Sequence, residues 1–120
     1  MKYAHVGFAV KDISKSKEFY SKALAPLGVE TTGEGDGWVA FGNEGRNGLW
    51  IGTFGTPPGP IHFAFEADTR DQVDAFYKAA LAAGGADNGA PGIRENYAPD
   101  YYAAFVHDPD GHNVEAVCRN

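Results

Sequence analysis

A chain of 120 residues is one domain's worth, long enough to bury a core without disulfide or metal staples. Its composition, 43% hydrophobic and 22% charged, is that of an ordinary globular protein. A formal charge of −6 excludes a surface built for nucleic acid or an anionic membrane, since both need clustered Lys and Arg. The single cysteine, Cys118, excludes an internal disulfide framework and reads as a small apolar packing residue in a reducing compartment. No apolar run reaches the length of a membrane span, and the N-terminus enters a strand-like run without a signal-peptide pattern. The expectation is a cytoplasmic protein with a small-molecule partner.

Tyr3 to Val10 alternates and is β-rich, which predicts a strand. Asp12 can cap a helix running to about Ala25, with Phe19, Ala23 and Leu24 on one side and Pro26 and Gly28 as its stop. Gly33 to Gly37 reads as a flexible turn. Trp38 to Phe41 and Leu49 to Phe54 read as short strands around an Asn43–Gly48 turn. After Thr56-Pro-Pro-Gly-Pro60 the pattern restarts. Ile61 to Ala67 is strand-like, and Thr69-Arg-Asp-Gln72 is a capping box. Val73, Phe76, Tyr77, Ala80 and Leu81 follow at helical spacing up to Gly84-Gly85. Arg94-Glu-Asn-Tyr97 falls in a Gly/Pro-rich loop. A closing strand pair, Tyr101 to Val117, turns at Asp108-Pro109-Asp110-Gly111, with His107 and His112 beside the turn and expected to be exposed.

The restart is nearly a copy. An offset of 57 places His5 on His62, Phe8 on Phe65, Phe19-Tyr20 on Phe76-Tyr77, Ala23-Leu24-Ala25 on Ala80-Leu81-Ala82 and Gly28 on Gly85. The chain is an internal duplication of a β-α-β-β-β unit, with a first module over residues 1–55 and a second over residues 61–120 of one domain. Strand alternation assigns the faces. Val6, Phe8 and Val10 oppose His5, Gly7 and Ala9, Phe63, Phe65 and Ala67 oppose His62, Ala64 and Glu66, and Val114, Ala116 and Cys118 oppose Asn113, Glu115 and Val117. The apolar sets suit a helix-covered face, which leaves the two His and Glu115 on a concave one. Glu115 sits among small apolar residues, and an unpaired buried carboxylate is costly, so something must compensate it.

The duplicated unit, the His at the start of each module and the Asp-Pro-Asp-Gly-His-Asn-Val-Glu ending over 108–115 together resemble the vicinal oxygen chelate superfamily, which includes glyoxalases, bleomycin resistance proteins and dioxygenases. The resemblance implies an α+β fold of two tandem βαβββ modules whose curved mixed sheets cup an active site, and a homodimer. Its metal-using members imply His5, His62 and Glu115 as ligands of a divalent ion. Two imidazoles and a carboxylate suit Zn, Ni, Mn, Co or Fe(II) and leave positions open for substrate. A glyoxalase I site implies a fourth ligand on the last strand of the first module. Aligning Phe41 with Phe105, an offset of 64, puts Ile51 opposite Glu115, and slips of one or two residues offer Trp50 or Leu49. None binds a metal, so a three-ligand site is expected.

The function implied is a metal-dependent enzyme acting as a Lewis acid on a small substrate with vicinal oxygens, by isomerisation, lysis or group transfer. Glu115 doubles as the candidate catalytic proton acceptor, and Arg94, Tyr101 and Trp50 are the candidate substrate contacts, with Tyr97 and Tyr102 as further pocket lining. The alternative is a metal-free small-molecule binding or sequestration protein of the bleomycin resistance type. The Asp108 and Asp110 pair lacks the spacing of a calcium loop.

Overall fold

Each half of the chain builds one helix and one four-stranded mixed sheet. The computed structural model describes Met1 and residues 3–119, with Asn47 described for its backbone alone. Asn120, the end of the second-module range, lies outside the described residues. The first half contains β1 (Val6–Ala9), α1 (Ile13–Leu24), β2 (Glu30–Gly35), β3 (Trp38–Asn43) and β4 (Arg46–Gly52). The second contains β5 (His62–Glu66), α2 (Arg70–Ala82), β6 (Ala86–Ile93), β7 (Tyr102–His107) and β8 (Asn113–Cys118). The sheets run β1-β4-β3-β2 and β5-β8-β7-β6, with the first strand of each parallel to the last and the other pairs antiparallel. Neither closes into a barrel. This is the α+β arrangement of paired βαβββ units.

Local chemistry sets both helices. The Asp12 side chain accepts from Lys15 N at 3.1 Å, and α1 passes into a 3₁₀ turn at Ala25–Leu27, where Pro26 can donate no helical bond. Gly28 ends that turn at φ 78°. On α2 the capping box is present in full: Gln72 N donates to Thr69 Oγ1, and the Gln72 amide oxygen accepts from Thr69 N, each at 3.2 Å. Phe19, Tyr20, Ala23 and Leu24 of α1 and Val73, Phe76 and Ala80 of α2 are fully buried. Each large side chain among them contributes roughly 1.5–3 kcal/mol of transfer free energy.

Two segments differ from the sequence expectation. Gly33 belongs to β2 rather than to a flexible turn, and the turn is confined to Asp36-Gly37. The Gly/Pro-rich stretch before Arg94 forms β6, a strand with register shifts between Asp87 and Gly89 and again up to Gly92. Both are outer strands of their sheets, where bulges and glycine are tolerated.

The two modules share one apolar core. Phe8 of β1 packs edge-on to Phe63 of β5 at 5.8 Å, and Tyr20 of α1 stacks near the same Phe63 at 6.3 Å. Tyr20 Oη donates to Asp108 Oδ2 at 2.5 Å, and burial, aided by that carboxylate, holds the phenol far above its usual pKa. The other oxygen of Asp108 accepts from Asp110 N and His112 N, both at 2.9 Å, which fixes the turn before β8. His112 was expected to be exposed and is not: it is 1% accessible. Its Nδ1 accepts from Ile61 N at 3.1 Å and its ring meets Phe8 at 5.2 Å, so the inter-module seam buries it as a structural histidine. His107 is half-buried. Cys118 is buried in the core, as its apolar reading requires.

Candidate functional site

The concave face of the second sheet carries the ionisable cluster. Glu115, in the middle of β8, is paired with Ala64 of β5 on one side and Phe105 of β7 on the other. It is 2% exposed, so its charge needs a partner. His62 supplies one, with Nε2 at 3.1 Å from Glu115 Oε1. Tyr101 supplies the second through a short hydrogen bond from its hydroxyl to Glu115 Oε2. Burial and the adjacent carboxylate push the Tyr101 phenol up to about 12, so it stays a donor at neutral pH.

The tautomer of His62 follows from its neighbours. Nδ1 lies 3.1 Å from the carbonyl oxygen of Asn113, which can only accept, so Nδ1 carries a proton. In the neutral ring Nε2 then presents a lone pair to Glu115, which is itself an acceptor when ionised. Two acceptors at 3.1 Å require a proton or a metal ion between them. Either the imidazole or the carboxyl group carries that proton, or a metal ion lies between the two. Neighbouring ligand atoms, each about 2.1 Å from one ion, stand roughly 3 Å apart, so the pair fits a divalent metal. The Nδ1 contact to a backbone carbonyl is the support a metal-binding imidazole uses.

His5, the third sequence candidate, is exposed and precedes β1 in the other module, where its ring lies 6.5 Å from that of Trp50. Within one chain the described residues include no group of three His, Cys, Asp or Glu side chains arranged to hold a metal. His62 and Glu115 are thus brought together, and His5 is not joined to them.

Trp50 pairs with Gly7 and with Ala40, as Glu115 pairs with Ala64 and with Phe105. The counterpart of Glu115 in the first module is therefore Trp50. Ile51, one residue on, is fully buried on the helix side, so aligning Phe41 with Phe105 misplaces the register by one. Trp50 lies flat against Trp38, ring centroids 4.8 Å apart and 13° from parallel. A side chain at Gly35 would collide with the Trp38 indole nitrogen, so glycine there seats the stack.

Arg94 follows β6 and is half-buried. Its guanidinium lies 5.2 Å from the centre of the Phe105 ring, and His62 stacks near the same ring at 6.3 Å. Tyr101 packs edge-on to Tyr97 at 5.1 Å. Tyr102 points the other way, against the pocket-lining expectation. Its hydroxyl donates to Asp74 of α2 at 2.6 Å, and Arg70 covers its ring. Phe105 and the Asn113 carbonyl went unremarked as site groups, although alternation from Tyr101 along β7 places Phe105 on the concave face.

A sequence model of the Glyoxalase/Bleomycin resistance protein/Dioxygenase superfamily matches residues 2–116. Among solved structures, a glyoxalase/bleomycin resistance protein from Albidiferax ferrireducens T118 is 30% identical, with 98% of each chain covered and a TM-score of 0.83. A glyoxalase/bleomycin resistance protein/dioxygenase family enzyme from Burkholderia phytofirmans PsJN is 19% identical over 98% of both chains, with a TM-score of 0.75. A lactoylglutathione lyase from Agrobacterium tumefaciens is 17% identical over 98% of this chain and 92% of that one, with a TM-score of 0.71. The last two likenesses show the fold alone. Comparison with curated proteins gives no match.

Proposed function

The chain belongs to the Glyoxalase/Bleomycin resistance protein/Dioxygenase superfamily, and on that premise we propose that it is a metal-dependent enzyme acting on a small substrate with vicinal oxygens. The observation that carries this reading is the His62–Glu115 contact, in which two groups that both accept at 3.1 Å leave room for a metal ion or a proton between them. His62 and Glu115 would hold a divalent ion, with His5 as the third ligand. Such an ion, when bound, supplies Lewis acidity toward substrate oxygens. The protein's own part is to hold and move a proton. Tyr101 fixes one oxygen of Glu115 and leaves the other to face His62 and the cup, where it is the candidate proton acceptor. Trp50 would form the opposite wall.

His5 belongs to the first module, so a homodimer in which each first module faces the other chain's second module would complete the ligand set. Exposed Tyr3, Val6 and Phe54 support a covered apolar surface, and the first two line a cleft of about 450 Å³ with Leu49 on their side and His62 to Phe65 on the other. Complementation tests the arrangement. His5→Ala and Glu115→Ala are each expected to lose metal uptake. Mixing and re-annealing the two chains restores one intact site in every mixed dimer. If mixing restores nothing, or if the protein is monomeric by light scattering, the shared site is wrong.

A second reading has its own support. A protonated His62 satisfies the same geometry as an ion pair with Glu115, so a metal-free binding protein would use the cup as a ligand trap. Metal uptake from Zn, Ni, Mn, Co or Fe(II) solutions at one ion per site favours the enzyme, and no uptake of any of them favours the trap.

A further inference from the structure

We infer that the cleft beside Arg94 is an anion subsite, which takes the carboxylate or phosphoryl oxyanion of a small, hydroxyl-bearing substrate. The cleft, about 330 Å³, is lined by Asn88, Gly89, Arg94, Tyr97, Phe105 and Asn113. It rests on the proposed function only for which end of the substrate reacts.

Three observations converge on it. The first is an unpaired, preorganised cation. The ion pairs among the described residues are Lys17–Glu34, Lys22–Glu18, His62–Glu115 and Arg119–Glu66, and Arg94 is in none of them, in a chain with a formal charge of −6. Its guanidinium is nevertheless fixed: Nη1 donates to Gly92 O at 2.9 Å, Nη2 donates to Ala90 O at 2.7 Å, and the plane rests on Phe105. These bonds use two of the five N–H donors of a guanidinium and leave the others for a ligand. Because the fork is held before the ligand arrives, little rotamer freedom is lost on binding.

The second observation is the backbone's accommodation of that cation. Gly89 has φ 150°, and a Cβ there would lie 3.0 Å from Arg94 Nη2 and 3.1 Å from Phe105 Cδ1. The bulged β6 thus leaves a space that a side chain would deny. The third is an orphan acceptor. Asn113 Oδ1 is buried and has no hydrogen-bond partner, while the carbonyl of the same residue faces His62. A buried acceptor without a partner calls for a donor, and a rotation of the Asn113 amide toward the cleft it lines would let a hydroxyl next to the oxyanion supply one. Phe105 neighbours both Arg94 and His62, which puts the cleft on the same face of the second sheet as the His62–Glu115 pair.

The test is calorimetric titration of the purified protein with glycolate, inorganic phosphate and the neutral control glycolamide. Wild type should bind at least one of the two anions saturably, and glycolamide at least about tenfold more weakly, as expected for loss of a charge-assisted pair. Glycolate or phosphate as the tighter ligand identifies the carboxylate or the phosphoryl class. Arg94→Met should weaken the anion at least about tenfold while leaving metal content unchanged, and Arg94→Lys, which keeps the charge without the fork, should fall between. Should Arg94→Met fail to fold, Arg94→Lys against wild type carries the test. His62→Ala should retain anion binding. Failure of both anions to bind, unchanged affinity in the Arg94 variants, or loss confined to His62→Ala would each overturn the subsite. None of these three results bears on metal uptake, so the subsite can fail while the proposed function stands.

Discussion

The two modules share a frame and differ on one face. On the helix-covered side the duplication is conservative: Phe19 and Phe76 occupy equivalent positions and both are fully buried. On the concave side equivalent positions have opposite chemistry. The first module places Trp50 beside Gly7 and Ala40, stacked on Trp38. The second places Glu115 beside Ala64 and Phe105, held by His62 and Tyr101. Bulk and charge change places: where the last strand carries the large indole its neighbour is alanine, and where it carries the carboxylate its neighbour is phenylalanine. Burial constrains one side of each sheet to stay apolar and leaves the other free to specialise, so a duplicated scaffold acquires one ionic wall and one aromatic wall.

Substitutions in the frame should respect the symmetry. Phe19→Ala and Phe76→Ala each remove a fully buried ring and should each cost about 3–5 kcal/mol in denaturant unfolding, with similar values for the pair. A large cost in one module and a negligible cost in the other would break the equivalence. The glycines that end the helices sharpen it: Gly28 and Gly84 both close their turns in left-handed conformations, at φ 78° and 99°, while Gly85, which the offset of 57 sets on Gly28, is held by contact instead. Gly85→Ala places a methyl 2.6 Å from Phe19 Cε1 and 2.8 Å from Ala80 O, which calls for a loss of about 1–3 kcal/mol. Gly28→Ala meets nothing within 4 Å, but its φ of 78° is left-handed, so about 1 kcal/mol is expected. Thermal midpoints of the two variants rank them.

The smallest effect is specific to the ionic wall. Tyr101 is pushed up to about 12 in the folded protein, above the ordinary value near 10. A group that binds its proton more tightly when folded contributes stability below the unfolded pKa and loses it as pH rises toward the folded one. Wild type should therefore lose stability between pH 10 and about 12 more steeply than Tyr101→Phe, which has no phenol to ionise at that position. Tyr20, also raised, is present in both proteins and cancels in the difference. Parallel stability curves across that range would sink the assignment.

How much of this was legible in the sequence depended on whether the signal was local. Periodicity and capping residues marked both helices, and the offset of 57 exposed the repeat together with the faces of β1, β5 and β8. The glycine-rich outer strands were not legible, because Gly33 and Gly89 carry no strand propensity and are held by their neighbours. A register error of one residue sufficed to exchange Trp50 for Ile51, since side chains alternate between faces. The burial of His112 between modules and the seating of Arg94 on Phe105 depend on long-range packing that no local pattern announces.

Metal content measured after equilibration with a divalent ion and desalting, for wild type, Trp50→Phe and Glu115→Gln, tests most directly that the chemistry belongs to the second module's wall. One ion per site is expected in wild type and in Trp50→Phe, and affinity lower by at least about tenfold in Glu115→Gln, which keeps the shape of the side chain and removes its charge. Full metal content at wild-type affinity in Glu115→Gln, or none in wild type, would contradict it.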